Sequence, residues 1–88
     1  MFLHLGENTV ISTENLVGIF DMDNTTVSKI TRDNLTKMQK ENKIVNVSYE
    51  LPMSFILCRD KKTKEEILYI SPISTQTLLK RIQNNKLD

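Results

Sequence analysis

The sequence predicts a small α+β domain, a mostly antiparallel β-sheet unit of about six short strands with one long helix and a short C-terminal helix. Two observations carry this. Runs of four to six residues rich in β-branched and aromatic side chains recur at 2–5, 9–12, 15–20, 44–47, 53–58 and 66–71, separated by turn-forming or charged segments. Two other stretches, 27–42 and 75–85, space their apolar residues as a helix does. With 88 residues the chain makes one domain, expected over 1–85, with a frayed tail at 86–88.

Each element has a local reason. "FLHL" (2–5) runs into a turn at Gly6-Glu7-Asn8, "TVIS" (9–12) follows, and "NLVGIF" (15–20) comes within a few residues, spacing that suits antiparallel pairs with tight connections. The helix over 27–42 is capped by Thr25 or Thr26, whose oxygen accepts a free backbone N–H. Val27, Ile30, Leu35 and Met38 form its narrow apolar stripe, and the charged run Glu41 to Lys43 ends it. "IVNV" (44–47) is a strand, "SYELP" (48–52) a connection. "MSFILC" (53–58) and "EILYIS" (66–71) are joined by the charged "RDKKTKE", short enough for an antiparallel hairpin. Ser74 caps the last helix, with Leu78, Leu79 and Ile82 on its apolar face and Lys80 and Arg81 pointing elsewhere.

The hairpin strands are apolar on both sides. Met53, Phe55 and Leu57 oppose Ile56 and Cys58, and Ile67 and Tyr69 oppose Leu68 and Ile70, so both faces need cover. Two helices are little cover for that. The rest comes from the second layer of a folded-over sheet or from another copy of the chain. A homo-oligomer is the favoured expectation, because a chain this short buries only about 60% of its unfolded surface by itself.

Composition excludes several classes. The single cysteine, Cys58, rules out an internal disulfide framework and a cysteine-based metal cluster, and suits a reducing compartment. No apolar run approaches the ~20 residues of a membrane span. The N-terminus shows no basic region followed by a long apolar stretch, so no signal peptide is expected and the expected place is the cytoplasm. The net charge of +1 is unevenly spread. Residues 1–27 carry Glu7, Glu14, Asp21 and Asp23 and no cation, whereas 28–43 carry Lys29, Arg32, Lys37, Lys40 and Lys43 against Asp33 and Glu41. That balance is too even to argue nucleic acid from charge alone.

"IFDMDNTT" (19–26) resembles the start of haloacid-dehalogenase phosphatases, in which the first aspartate attacks a phosphoryl group and the second handles its proton. That reading would make Asp21 and Asp23 catalytic, but it needs a doubly wound parallel sheet, and each βαβ unit takes ~30 residues or more. The favoured reading makes Asp21, Asp23 and Asn24 a polar strand-to-helix turn, which suits their side chains. His4 alternates with apolar residues in a strand and reads as a packed or half-exposed side chain. Cys58 reads as a buried structural thiol. "RDKKTK" reads as a solvated loop.

In order, "FLHLGENTVISTENLVGIFD", a capped helix, "KIVNVSYE", an apolar strand and "ILYISPISTQTLLKRI" resemble the RemA/RemB family of extracellular matrix (biofilm) regulatory proteins of Gram-positive bacteria, and its RemB-like branch. The resemblance covers 2–83, and its specific positions are Gly6, Tyr49, Ser71, Ser74, Thr77, Leu78 and Arg81. It implies a non-enzymatic DNA-binding regulator of matrix genes, assembled as a ring-shaped homo-oligomer, with a fold similar to LytTR-type DNA-binding domains. The sequence departs from the family at the arginine-rich DNA-contacting loop after the matching tyrosine. Glu50, Leu51, Pro52, Met53 and Ser54 stand there, and Asn15 replaces a further family arginine.

Duplex contacts would therefore come from other cations. The candidates are Lys29, Arg32, Lys37 and Lys40 on the long helix, Arg59, Lys61, Lys62 and Lys64 in the hairpin loop, and Lys80 and Arg81 on the last helix. The expectation is a non-enzymatic regulator of biofilm-matrix gene expression that acts as a homo-oligomer, through duplex DNA or through a protein partner. No cofactor, metal, membrane or small-molecule substrate is expected. The alternative is an interaction scaffold without DNA contact, meeting its partner through an apolar tip at Leu51, Pro52 and Met53. The phosphatase is a remote third reading.

Overall fold

The computed structural model describes residues 1–23 and 36–86. These form six strands: β1 (Phe2–Gly6), β2 (Thr9–Ser12), β3 (Leu16–Asp21), β4 (Ile44–Asn46), β5 (Ser54–Arg59) and β6 (Glu66–Ser71). Helix α1 is described over 36–40, and α2 spans Thr75–Lys86. The 27–35 part of the expected long helix, its Thr25/Thr26 cap, and residues 87–88 lie outside the described residues. Among the described residues no helix is long and apolar enough to cross a membrane.

The strands build two sheets rather than one. β1 and β2 form an antiparallel hairpin, and the other four take the order β3-β5-β6-β4. β5 pairs antiparallel with β6, as the hairpin spacing predicts, and also with β3, and β4 runs parallel to β6. The expectation of successive pairs along the first fifth of the chain is corrected at β3, which leaves the hairpin to pair with β5. The cause is local: a 3-10 turn, Thr13–Asn15, capped by Ser12, redirects the chain before β3 begins. Thr13 N–H also donates to the Met1 carbonyl at 3.0 Å, closing the far end of the β1–β2 hairpin.

One face of the four-stranded sheet is covered by the β1–β2 layer and by α2, so on this face the cover is the folded-over second layer, the alternative to another copy of the chain. Leu3, Leu5 and Ile11 from the hairpin, Ile56 and Cys58 from β5, Val47 and Leu78 are buried together. A bulge at Val17, between Leu16 and Gly18, turns both Leu16 and Ile19 toward this core and leaves Val17 exposed. On the opposite face the alternation brings up Phe20, Phe55, Leu57, Leu68 and Ile70. Phe55 and Leu68 are buried and the other three half-buried. The Phe20 ring lies over Gly18, where a Cβ would come within 2.8 Å of Cζ.

Two serines hold the layers together. Ser71 Oγ donates to the Leu5 carbonyl at 2.6 Å and accepts the Ile73 N–H at 3.0 Å. Its cross-strand neighbour Ser54 donates to the Ile73 carbonyl at 2.7 Å. Both serines are fully buried and both are satisfied, as burial of a hydroxyl requires.

Gly6 sits at the same junction with φ +127°, and a Cβ there would lie 3.1 Å from Val47 Cγ1. Gly6→Ala meets both backbone strain and crowding. It is expected to destabilise by ~1–3 kcal/mol, seen as a lower chemical-denaturation midpoint with an unchanged slope. A midpoint equal to wild type would mean that this junction is not closely packed.

Ser74 caps α2, accepting the Thr77 N–H at 3.2 Å. The helix runs to Lys86, one residue beyond the sequence reading, and at 12 residues it is not a short element. Its packed stripe is Leu78 and Ile82. The assignment of Leu79 to the apolar face is corrected, since that side chain is exposed. Leu79 lies about 100° around the helix from Leu78, outside the arc facing β1. Arg81 is half-buried instead, and its Nη1 donates to the His4 carbonyl of β1 at 2.8 Å.

Candidate nucleic-acid and protein interfaces

Among the described basic candidates, the β5–β6 turn is held by hydrogen bonds within its own loop. β5 ends at Arg59 and β6 begins at Glu66, so the connection is 60–65. Asp60 organises it: Oδ1 accepts the N–H groups of Lys62 at 2.8 Å and Thr63 at 2.9 Å, and its carbonyl accepts the Lys64 N–H at 2.9 Å. Lys64 takes the left-handed conformation, φ 65°, that closes such a loop. Asp60 N–H reaches the Glu65 carbonyl at 2.9 Å, and Arg59 and Glu66 form an exposed cross-strand ion pair at 3.4 Å. The result is a stiff loop presenting Lys61, Lys62 and Lys64 to solvent.

The bonds from Thr63 and Lys62 hold the Asp60 carboxyl below the ordinary aspartate range. A depressed pKa contributes stability above the unfolded value that is lost as pH falls through the folded value. The difference in melting temperature between wild type and Asp60→Ala is therefore expected to be full at neutral pH and to shrink in acid. A difference that stays constant from neutral to strongly acidic pH would show that the carboxylate does not organise the turn.

The other cations are placed differently. Lys37 and Lys40 are exposed on α1. That helix ends in a left-handed Asn42, φ 58°, with Lys43 N–H donating to the Met38 carbonyl at 2.9 Å and Asn42 N–H to Gln39 at 3.2 Å. This double bond pattern with Asn in the left-handed position is a known helix stop. Lys80 is exposed on α2, whereas Arg81 spends one guanidinium N–H on β1, a role that sequence reasoning missed. Lys29 and Arg32 lie outside the described residues. Among the described candidates, Arg59, Lys61, Lys62 and Lys64 are the ones gathered by a single turn.

The Leu51, Pro52 and Met53 tip lies at the other end of β5. Its stem is bonded to β6, with Val47 N–H on the Ile70 carbonyl at 3.0 Å and Met53 N–H on the Ser71 carbonyl at 2.8 Å. Between them Tyr49 is wholly exposed and Leu51 is 79% exposed. Ser48 Oγ accepts the Glu50 N–H at 3.1 Å. Tyr49, Leu51 and Met53 thus stand together as an exposed apolar group.

Asp21 and Asp23 form the polar turn. Asp21 Oδ1 accepts the Asp23 N–H at 2.9 Å, and both are exposed. The sheet that ends at Asp21 is mostly antiparallel, not doubly wound, so it lacks the parallel-strand crevice that the phosphatase reading needs. Cys58 is buried, and burial pushes its thiol up to about 11, the state of a packed rather than a reactive cysteine. His4 donates from Nε2 to the Glu7 carbonyl within its own hairpin.

A groove of about 360 Å³ opens between β2 and the β5–β6 turn. Val10, Ile11, Cys58, Ile67 and Tyr69 supply its apolar surface, and Asn15 stands at the position of the absent family arginine. Sequence reasoning did not find this groove. Its lining comes from two stretches, 10–15 and 58–69, and no spacing along the chain signals their meeting.

The family model described as "Extracellular matrix regulatory protein A-like", RemA-like, matches residues 2–82. The chain belongs to the RemA-like family. It is 37% identical over 83 residues to "Extracellular matrix regulatory protein B" of Bacillus subtilis (strain 168), covering 94% of this chain and 91% of that protein. The match takes in both layers, the tip and the β5–β6 turn, so every candidate surface belongs to the RemA-like unit itself. Similarity to a protein B member agrees with the RemB-like resemblance carried by Gly6, Tyr49 and the Ser71–Arg81 ending.

Proposed function

We propose that this protein is a non-enzymatic regulator of extracellular-matrix gene expression in the cytoplasm, acting as a homo-oligomer that binds duplex DNA through a repeated basic surface. The observation that carries the regulatory reading is the family match across 2–82. Support for the DNA contact comes from the β5–β6 turn, where Asp60 pre-organises a loop presenting Lys61, Lys62 and Lys64 beside Arg59. Each cation that reaches a phosphate releases a counterion, and an oligomer multiplies one weak patch by its copy number.

The test is fluorescence anisotropy of a labelled random duplex at low and at physiological salt, with mass measured by light scattering on the same sample. Binding that weakens steeply with salt is the expected result. An oligomer that fails to bind at low salt removes the DNA contact and leaves a second reading, a scaffold that meets a protein through the Leu51, Pro52 and Met53 tip. That second reading is favoured by the exposure of Tyr49 and of Leu51, the latter in the loop where the family carries its arginines.

A further inference from the structure

One wall of the groove is an open strand edge. Among the described residues β2 pairs with β1 alone, so its other edge has no strand beside it. The register fixes which groups that edge offers. The Thr13 N–H bonds the Met1 carbonyl, so the facing residues Phe2 and Ser12 exchange no bonds between them. Alternation along the ladder then makes Leu3 and Ile11 a bonded pair and His4 and Val10 an unbonded one. The His4 carbonyl accordingly points outward, where Arg81 takes it. On the other strand the N–H and C=O of Val10 and the N–H of Ser12 point away from β1 in the same way. Arg81 and Ser71 occupy the β1 side of the hairpin, whereas the β2 side opens onto the groove.

The rest of the lining says what would lie along that edge. Ile67 and Tyr69, both half-buried, give the groove an apolar floor beside β2. Its charged side chains are Asp60 and Glu65, while Lys61, Lys62 and Lys64 of the same turn face solvent and are not part of the lining. Asp60 is committed to two amides of its own loop. The Glu65 carboxylate is exposed and forms no ion pair among the described residues. Free main-chain groups call for an extended backbone, the floor for apolar side chains, and Glu65 for a cation.

We propose that the β2 edge takes up an extended segment of another protein as an added strand, with apolar side chains against Ile67 and Tyr69 and a lysine or arginine beside Glu65. Main-chain bonds to Val10 and Ser12 hold the segment, and the side-chain contacts select it. The four residues of β2 span ~13 Å, so the recognised stretch is short and its affinity modest. The exposed tip of a second copy does not suit the site. Residues 49–53 carry Glu50 and no cation, which would set like charge against Glu65. The inference goes beyond the regulatory reading and does not depend on the DNA contact, which uses the solvent-facing lysines of the same turn.

The experiment titrates the 15N-labelled full chain with synthetic hexapeptides that alternate valine and threonine and carry either lysine or glutamate at one central polar position. A third peptide is the lysine version with its backbone amides N-methylated. The lysine peptide is expected to shift the amide signals of Val10 and Ser12 and to slow their hydrogen exchange. The glutamate and N-methylated peptides are expected to bind about tenfold more weakly, the scale of one or two lost polar contacts. Glu65→Lys, at an exposed position that leaves the fold intact, is expected to reverse the order of the lysine and glutamate peptides. A lysine peptide that leaves both amides unmoved at millimolar concentration overturns the proposal. So does an N-methylated peptide that binds as well as its parent, or a Glu65→Lys chain with the wild-type order. Light scattering on the same samples watches for a second copy: a peptide that shifts Val10 and Ser12 while lowering the mass gives the edge to self-association and ends the proposal.

Discussion

Replacing Leu78 by alanine is expected to destabilise the domain by ~2–5 kcal/mol, the range for removing a fully buried leucine from a core that closes only partly over the gap. Leu78 has no exposure and packs with Leu3, Leu5 and Ile56, so it fastens α2 to both layers at once. For a domain whose whole stability is on the order of 5–15 kcal/mol, that loss is a large share. The neighbouring change is the control. Leu79 is 49% exposed, and Leu79→Ala is expected to stay within about 0.5 kcal/mol. Urea denaturation of the two variants measures the contrast. Equal midpoints would mean that α2 docks through a different face. The Arg81 bond to the His4 carbonyl contributes to the same docking, but as a partly exposed hydrogen bond it is worth less than the leucine.

The second large effect concerns nucleic acid. Reversing Lys61, Lys62 and Lys64 to glutamate should remove most duplex affinity at low salt and flatten its salt dependence. Each lost phosphate contact lowers the slope of log affinity against log salt by about one, so about three for the triple change. The fold should not change, because all three side chains are exposed and the Asp60 bonds that shape the turn use backbone N–H groups. Lys80→Glu on α2 serves as the comparison. A triple variant with wild-type affinity and slope would take the contact away from this turn, and a loss confined to Lys80→Glu would move it to the C-terminal helix.

Much of the fold was legible because it is written locally. β2 and β6 run over the residues that their β-branched runs mark, and Ser74 caps α2 as its position before a helical repeat suggests. The β5–β6 hairpin follows from two apolar strands and one short charged connection. The polar turn at Asp21 and Asp23 was readable for the same reason, since the bond that makes it spans two residues. The candidate surfaces were half legible. The exposed tip at Leu51 and the basic turn at Lys61 to Lys64 announce themselves as residues that do not belong in a core. The groove lined by Val10, Cys58 and Tyr69 had no such signal.

By itself, then, the sequence determined the strand segments, the C-terminal helix, the antiparallel β5–β6 hairpin, the turn chemistry and the membership in a RemA-like family. Each of these depends on neighbours within a few positions, or on a pattern preserved along the whole chain. The tertiary structure alone decided that β3 leaves the hairpin to pair with β5, that β4 lies parallel to β6, and that Leu78 rather than Leu79 faces the core. It also decided that Arg81 reaches back to β1, and that Ser71 ties β6 to Leu5 across 66 positions of chain. These outcomes depend on which apolar faces bury most surface together and which buried hydroxyls find a carbonyl. That is a competition among all pairings at once, and no local spacing records its result.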